Sequence, residues 1–243
     1  MHHLTRPDRP ALAYHHRTGT GPTILFLPGY MSDMAGSKAL ALDAWAAAHG
    51  RALLRFDYAG CGISEGAFEA QTLTDWRDDA LALLDRVITG PVLLVGSSMG
   101  GWLMLLVALA RPDRVVGLVG IAAAPDFTDW GYDADARAVL ARDGRIVEPS
   151  AYDDRGTVLT RAFHASGQAA LLLDTAIAID CPVRLLHGQA DADVPFPIAL
   201  RLAAALRSAD VQTLLVKDGD HRLSRPQDLD LLIATVARLL DMP

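Results

Sequence analysis

The chain has few of the features that mark secreted, membrane-spanning or nucleic-acid-binding proteins. Its 243 residues include only two cysteines, Cys61 and Cys181, which excludes a disulfide framework and favours a reducing compartment. The apolar run at residues 102–110 ends at Arg111, well short of the roughly 20 residues that a bilayer-spanning helix needs. The net charge is −7 without a basic stripe, so we do not expect nucleic acid as a partner.

Sequence signals for targeting, metal binding and cofactor binding are also missing. Residues 1–10 lack the apolar core of a signal peptide, and they are short and contain an acid, unlike a transit peptide. We therefore expect a cytoplasmic protein without a stable membrane anchor. No cluster of histidine, cysteine and carboxylate residues shows the spacing of metal ligands, so we expect neither a metal nor a cofactor.

Apolar runs typical of strands alternate along the chain with stretches typical of amphipathic helices. The strand-like runs are residues 23–27, 52–56, 92–95, 115–119, 183–186 and 211–216, and the helix-like stretches lie near 37–49, 73–88, 99–110, 196–208 and 226–241. Because the strand-like runs are almost continuously apolar, they indicate a parallel sheet covered on both faces. The alternation predicts an α/β fold with a mostly parallel, doubly wound sheet, whose functional residues collect at the carboxyl ends of the strands.

One segment interrupts this alternation. No strand pattern appears in residues 126–179, whereas helical patterns cover residues 134–141, 155–163 and 167–178. We predict that residues 126–179 form a small helical cap inserted into a core domain made of residues 1–125 and 180–243. An ordinary pair of connecting helices is the alternative, although crossovers in such sheets are usually much shorter.

The motif with the clearest chemical meaning is Gly96-Ser97-Ser98-Met99-Gly100, which has the pattern G-x-S-x-G. It follows a strand-like run and precedes a long helical pattern, the setting of a nucleophile elbow. The turn is so sharp that the residues two positions before and after the serine, Gly96 and Gly100, need to be glycine. The Ser98 hydroxyl would then project out of the turn, where it can attack a carbonyl carbon.

An acid and a base follow Ser98 in the order that this type of hydrolase requires. Asp191 follows the strand-like run 183–186, and His221 follows the run 211–216. Both loops leave carboxyl ends at one edge of the sheet, so we predict a triad in which Ser98 forms an acyl-enzyme and His221 moves the protons. Asp191 would fix the imidazole tautomer. Asp193 is the alternative acid, less favoured because Asp191 comes earlier in the turn.

Two backbone N–H groups are expected to form an oxyanion hole. One is that of Met99, directly after the nucleophile, and the other is that of Tyr30, in the loop after the strand-like run 23–27. In the cap, Trp130, Tyr132 and Phe163 are predicted to form a wall that binds an acyl group. Simple packing of the cap on the core is the alternative for each of these aromatic residues.

Several other polar residues are given structural roles. We predict that His187 is packed in the core and that Cys61 is structural rather than a reactive thiol. Asp57 and Ser64 are expected to bind backbone amides within a shaped turn. His164 lies in the cap, and contact with substrate is the less favoured alternative for it.

Four blocks of sequence resemble a known family. They are residues 28–34, 55–62, 95–105 and 219–224. Together they make the chain resemble the α/β-hydrolase superfamily and, within it, the abhydrolase subfamily of the animal mitochondrial palmitoyl-protein thioesterase, also called mycophenolic acid acyl-glucuronide esterase. The resemblance implies the α/β-hydrolase fold and a triad at Ser98, Asp191 and His221. It also implies removal of fatty acyl groups from cysteine and cleavage of acyl esters.

The sequence therefore predicts a serine hydrolase that cleaves thioesters or carboxylic esters through an acyl-enzyme. The expected partner is an acyl ester or acyl thioester, including an S-acylated protein. A peptidase of the same fold and a non-catalytic binding protein are the alternatives. The natural acyl donor and the oligomeric state stay open, and the cap matches the resembling family least.

Overall fold

An eight-stranded sheet forms the centre of the computed structural model, which describes residues 1–149 and 156–241. The strands are β1 (His2–Arg6), β2 (Arg9–Arg17), β3 (Thr20–Leu27), β4 (Arg51–Phe56), β5 (Val92–Ser97), β6 (Val115–Ile121), β7 (Arg145–Glu148), β8 (Thr157–Thr160), β9 (Val183–Gly188) and β10 (Val211–Val216). The helices are α1 (Ser37–Ala48), α2 (Leu73–Arg86), α3 (Met99–Ala110), α4 (Phe127–Trp130), α5 (Ala134–Asp143), α6 (Arg161–Gln168), α7 (Pro197–Ala205) and α8 (Pro226–Leu240). A short 3-10 turn spans Phe68–Ala70.

The sheet has the order β1-β2-β4-β3-β5-β6-β9-β10. In this order, each neighbouring pair from β4 through β3, β5, β6 and β9 to β10 is parallel, whereas β2 pairs antiparallel with both β1 and β4. All six predicted strands are present, so the predicted α/β sheet is confirmed. The antiparallel strands β1 and β2 were not predicted. They lie at one edge of the sheet, where partial exposure and a proline at position 10 remove the continuous apolar pattern.

Apolar side chains cover both faces of the sheet. Helices α1 and α8 pack together on one face, and α2, α3 and α7 cover the other. The central strand β5 is buried along its whole length, as its uninterrupted apolar sequence predicts. Burial of each large apolar side chain contributes about 1.5–3 kcal/mol, so this double-sided core holds the parallel strands in register. Within the described ranges, no helix is both long and apolar enough to span a bilayer.

Local sequence signals fix where the helices begin. At the start of α2, the Thr72 hydroxyl accepts a hydrogen bond from the Asp75 N–H, and the Asp75 carboxylate accepts one from the Thr72 N–H. This capping box satisfies two amides that otherwise lack partners. Pro197 and Pro226 begin α7 and α8, positions at which a missing N–H has no cost. Helix α7 ends earlier than predicted because Leu206 has an extended backbone.

The segment between β6 and β9 differs in part from its prediction. Helix α5 is present as predicted, between the capping residue Asp133 and Gly144, whose φ is 79°. However, β7 and β8 form an antiparallel hairpin, so the prediction of helices alone in this segment is wrong. The predicted helix at residues 155–163 begins outside the described residues, and its described part forms β8 before α6 begins. Runs of only four residues gave too little alternation to indicate strands.

The predicted helix at residues 167–178 is also wrong over most of its length. Helix α6 ends at Gln168, and a loop follows. The physical reason lies outside the segment, because the Asp126 carboxylate accepts hydrogen bonds from the N–H groups of Leu172 and Leu173 at 2.7–3.0 Å. These amides are therefore engaged with a distant side chain rather than with a helical turn. The bounds 126–179 for a separate cap stay a prediction.

The loop after β4 is a shaped turn, as expected from Asp57 and Ser64. The Asp57 carboxylate accepts hydrogen bonds from the N–H groups of Met34, at 2.7 Å, and Ile63, at 2.9 Å. The Ser64 hydroxyl accepts from the Ala13 N–H and donates to the Asp57 carbonyl. This single carboxylate therefore joins the loops that follow β3 and β4 at the carboxyl edge of the sheet.

A buried ion pair gives a test of the fold. The Asp79 carboxylate accepts hydrogen bonds from Arg6 Nη1 at 2.5 Å and from the Ala59 N–H at 2.8 Å, and both charged side chains are buried. Asp79→Asn would leave the arginine buried without its counter-charge, so we expect the free energy of unfolding to fall by about 3 kcal/mol in urea titrations. The matched control is Asp78→Asn, because Asp78 pairs with Arg77 at the surface. That change should cost at most about 0.5 kcal/mol, and equal losses for the two variants would contradict the assignment.

Candidate active site

Ser98 lies at the sharp turn between β5 and α3, and its backbone is strained. Its φ is 54° and its ψ is −121°, a conformation that side-chain-bearing residues rarely adopt. A Cβ atom on Gly96 would lie 2.3 Å from the Gly100 carbonyl oxygen, and one on Gly100 would lie 2.1 Å from that of Leu27. Both motif glycines are therefore required by the close approach of backbones, as the sequence predicts.

Hydrogen bonds to the next strand hold this strained residue. The Ser98 N–H donates to the carbonyl of Ile121, the last residue of β6, at 2.9 Å. The Ser98 carbonyl accepts from the N–H groups of Gly101 at 2.8 Å and Ala124 at 3.0 Å. The backbone N–H and carbonyl of Ser98 are therefore both paired, and they hold the backbone from which the serine side chain projects.

The structure brings the three predicted triad residues together at the carboxyl edge of the sheet. His221 Nε2 lies 3.1 Å from Ser98 Oγ, and His221 Nδ1 lies 2.9 Å from Asp191 Oδ2. Ser98 and His221 are separated by 123 positions in the sequence, so only the sheet topology makes this contact possible. The imidazole can therefore accept the serine proton at one nitrogen while its other N–H donates to a carboxylate.

The environment of Asp191 keeps its carboxylate ionised. Oδ1 accepts hydrogen bonds from the N–H groups of Asp193, at 2.9 Å, and Val194, at 2.8 Å. Although burial raises the pKa of Asp191, hydrogen bonds from His187, His221 and the Val194 amide outweigh it and hold the pKa well below its usual range. An acid that stays charged can orient the imidazole across the neutral pH range.

Asp193, the alternative acid, is exposed, and the structure pairs His221 with Asp191 instead. Within residues 1–149 and 156–241, Asp191, Asp193 and His221 are the one group whose candidate ligand atoms all lie within 4.8 Å of one another. A cation bound there would compete with the hydrogen bond between Asp191 and His221. The same three residues therefore serve the proton-transfer geometry better than they serve a metal site.

His187 is buried in the core, as expected, but it also contacts the candidate site. Its side chain is fully buried, and its Nε2 atom lies 2.9 Å from the Val194 carbonyl oxygen and 3.3 Å from Asp191 Oδ2. Sequence reasoning missed this second contact. The available signal was the spacing of four residues from His187 to Asp191 across the end of β9.

The two predicted oxyanion donors lie on either side of the serine. Met99 is the first residue of α3, so its N–H has no partner within the helix. The loop that carries Tyr30 passes close over the serine, because a Cβ atom on Gly29 would lie 3.4 Å from Ser98 Cβ. The role of the Tyr30 and Met99 N–H groups as oxyanion donors stays a prediction.

The Tyr30 side chain has a role that the sequence did not indicate. It stands within a cluster of aromatic rings whose centroids lie 5.0–5.9 Å from its own: Phe68, Trp76, Phe127 and Phe163. Its hydroxyl donates a 2.6 Å hydrogen bond to the carbonyl of Val158 in β8. Tyr30 therefore joins the loop beside Ser98 to the β7–β8 hairpin.

A cleft of about 830 Å³ opens in front of Ser98 and His221. Trp130 and Tyr132 line this cleft, and their role in binding substrate stays a prediction. Phe163 does not line it. Its side chain is 1% exposed and packs in the aromatic cluster around Tyr30, so the prediction that Phe163 contacts substrate is replaced by the alternative of cap-on-core packing.

The cleft has a lining of mixed character. It includes the apolar or aromatic side chains of Met31, Phe127, Trp130 and Tyr132 and the charged side chains of Asp33, Lys38, Glu148, Asp193 and Arg222. Lys38 Nζ donates to the Arg222 carbonyl, and burial lowers the pKa of Lys38 to about 8. The cleft can therefore receive a molecule that has both apolar and polar parts.

The remaining sequence candidates lie away from Ser98. Cys61 is buried, and burial raises the pKa of its thiol to about 12, which agrees with a structural role. His164 faces the Tyr132 ring at 6.5 Å between centroids and does not itself line the cleft. Neither residue takes part in the geometry around Ser98.

This fold, with a serine on a strained strand-to-helix turn, defines a hydrolase of the α/β class. The family model described as the alpha/beta hydrolase family matches residues 24–241, and the chain belongs to that family. The predictions of this fold and of an enzyme rather than a binding protein are thereby confirmed.

Individual relatives within this family are similar to the chain over almost its whole length. The palmitoyl-protein thioesterase ABHD10, mitochondrial, of Homo sapiens is 40% identical over 242 residues, which cover 98% of this chain and 79% of that protein. Two solved structures each share 40% identity at a TM-score of 0.93, over 99% of this chain and 98% of theirs. They are alpha/beta hydrolase domain-containing protein 10 from mouse and a putative hydrolase from Agrobacterium vitis S4. The resemblance read from the four sequence blocks is confirmed.

The same comparison corrects the expected location. The human relative is named as mitochondrial, which contradicts the expectation of a cytoplasmic protein. That expectation depended on the composition of the first ten residues and on the presence of only two cysteines. Targeting signals are read by receptors and leave no trace in the folded domain, so the fold offered no second line of evidence.

The glycines of the turn give a test of its geometry. Gly100→Ala would place a methyl group 2.1 Å from the Leu27 carbonyl oxygen, and backbone atoms on both sides cannot move apart easily. We expect a loss of about 3 kcal/mol in the free energy of unfolding and at least a tenfold slower reaction of Ser98 with a fluorophosphonate. The control is Gly36→Ala at the rim of the cleft, where the nearest atom would lie at 3.6 Å. That variant should react at nearly the parental rate, and parental behaviour of Gly100→Ala would contradict the packing described.

Proposed function

We propose that this protein is a serine hydrolase that cleaves thioesters or carboxylic esters of apolar acyl groups through an acyl-enzyme. The observation that carries the proposal is the chain of contacts from Ser98 Oγ to His221 Nε2, at 3.1 Å, and from His221 Nδ1 to Asp191 Oδ2, at 2.9 Å. A serine hydroxyl is a weak nucleophile until a base removes its proton. This arrangement supplies the base and an ionised carboxylate that orients it.

The reaction has two halves. In the first, His221 takes the proton from Ser98 as Oγ bonds to the acyl carbon, and the imidazolium then protonates the departing thiolate or alkoxide. In the second, His221 takes a proton from water as the water oxygen bonds to the acyl carbon. The Ser98–acyl bond then breaks, the serine recovers its proton, and a carboxylic acid leaves. Asp191 stays ionised and stabilises the imidazolium in both halves.

The tetrahedral intermediates carry a negative oxygen that needs hydrogen-bond donors. The Met99 N–H at the start of α3 and the Tyr30 N–H above Ser98 are proposed as these donors. The positive end of the α3 dipole lies at the same place and favours the negative charge further. Both donors belong to the backbone, so their directions depend on the turn and on the loop after β3.

The substrate class is supported by the cleft and by the relatives. An acyl chain against the side chains of Met31, Phe127, Trp130 and Tyr132, which line the cleft together with Ser98, would bring its carbonyl carbon to Ser98. Polar and charged side chains of the same lining are available to the leaving group. The 40%-identical human relative is named a palmitoyl-protein thioesterase, which favours a thioester and an S-acylated protein over the peptide substrate of the alternative peptidase.

The direct test uses a series of thioesters and nitrophenyl esters with acyl chains of two to sixteen carbons. Each buried methylene contributes about 0.8 kcal/mol, so we expect kcat/KM to rise roughly fourfold for each methylene until the cleft has no further apolar surface to bury. Ser98→Ala should lose at least about a thousandfold in activity and form no acyl-enzyme detectable by mass spectrometry. Absence of turnover of every substrate, in protein that a fluorophosphonate labels at Ser98, would reject this substrate class.

A second experiment identifies the acid. Asp191→Asn keeps the shape of the side chain but removes the charge that fixes the imidazole tautomer, so kcat should fall by roughly 10³–10⁴. The matched control is Asp193→Asn, two positions away on the same loop and exposed, which should change kcat less than tenfold. A larger loss for Asp193→Asn than for Asp191→Asn would assign the acid to Asp193 instead.

A further inference from the structure

Asp191 Oδ2 has a second histidine neighbour besides His221. His187 Nε2 lies 3.3 Å from this oxygen, and the side chains of His187 and Asp191 are both fully buried. His187 lies in β9, in register with Leu215 of β10, so its backbone is fixed by the sheet. A rigid strand therefore holds an imidazole directly beside the carboxylate that faces His221.

The surroundings of His187 fix which nitrogen carries its proton. Nε2 lies 2.9 Å from the carbonyl oxygen of Val194, which can only accept a hydrogen bond, so Nε2 carries the hydrogen. Nδ1 is buried and has no partner among the described residues. A second proton at Nδ1 would be a buried donor without a partner among the described residues, so the geometry favours the ring with a single proton on Nε2.

We propose that His187 is a positioning residue, whose neutral ring shares its Nε2–H between the Val194 carbonyl and Asp191 Oδ2 and so holds the acid in place for His221. This inference rests on the proposed function, in which Asp191 orients the catalytic base. The shared N–H joins the two ends of the loop 191–194, since the Val194 N–H also donates to Asp191 Oδ1. The carboxylate is thereby held through both oxygens.

The electrostatic consequence has a definite sign. Without the His187 donor, the negative charge of Oδ2 is shared by fewer N–H groups, so it attracts the proton on His221 more strongly. Protonated His221 cannot act as a base, so the acid limb of the kcat/KM profile moves to higher pH. The other charged groups near His221 are Asp193 on the acid's loop, Asp220 and Arg222 on its own loop, and Lys38 on α1. None of these is altered by a change at position 187.

The test compares a variant that lacks the donor with one that keeps it. His187→Met fills similar volume without an N–H, whereas His187→Gln can place an amide N–H near the position of Nε2. After normalisation to sites labelled by fluorophosphonate, we expect His187→Met to lose 10–100-fold, mainly in kcat, and its acid limb to rise by roughly half a pH unit. His187→Gln should recover most of kcat and the parental limb. The proposal would be overturned if the acid limb of the kcat/KM profile did not move in His187→Met, or if the two variants lost the same activity.

A matched control is His15→Met. His15 lies in β2, with Nδ1 3.7 Å from the Asp43 carboxylate and remote from the cleft, so its loss should leave kcat and the pH limb unchanged. Should His187→Met fail to fold, nitrogen-15 NMR of the unmodified protein decides. The His187 proton should lie on Nε2, as its contact with the Val194 carbonyl requires, and an Nδ1–H tautomer would overturn the proposal. This spectrum does not depend on turnover, so it separates failure of this inference from failure of the proposed hydrolase activity.

Discussion

The close approach of three backbones around Ser98 is the constraint on which the site depends. Gly96 in β5, Gly100 in α3 and the carbonyl of Leu27 at the end of β3 meet with no room for a Cβ atom. This contact forces the turn that gives Ser98 its positive φ, and it also sets the start of α3 directly behind the serine. Ser98, the proposed nucleophile, and the N-terminus of α3 directly behind it are therefore placed by the same packing contact. The sheet supplies the rest, because parallel strands bring the loops after β9 and β10 to the same edge.

The sequence predicted the parts of this structure that local patterns encode. The parallel strands are uninterrupted apolar runs, and Ser98, Asp191 and His221 each follow such a run, so their convergence could be expected from topology alone. Contacts between distant segments were not predictable in this way. The Tyr30 hydroxyl meets a carbonyl 128 positions away, and the Asp126 carboxylate binds amides more than 40 positions away. No periodicity within a window of ten or twenty residues carries information about such partners.

The errors share that physical cause. Residues 167–178 have a helical pattern, but tertiary hydrogen bonds to Asp126 engage the amides of Leu172 and Leu173. The strands β7 and β8 stabilise each other by pairing rather than by an alternating pattern in either one. Phe163 was assigned to a substrate wall because it is aromatic and lies between residues 126 and 179, yet its ring lies in the cluster around Tyr30. His187 was correctly expected to be buried, but burial alone did not reveal that its N–H faces a carboxylate.

The backbone and the hydroxyl of Tyr30 contact two different parts of the protein. Its backbone belongs to the loop beside Ser98, while its hydroxyl donates to the β7–β8 hairpin, whose residues Glu148 and Thr157 also line the cleft. A change that remodels this part of the cleft for a new substrate therefore also acts on the loop that is proposed to stabilise the oxyanion. Selectivity and rate are in this way linked through one side chain. Divergence of substrate preference within such a lineage would be accompanied by compensating changes around the tyrosine ring rather than by free exchange of the hairpin.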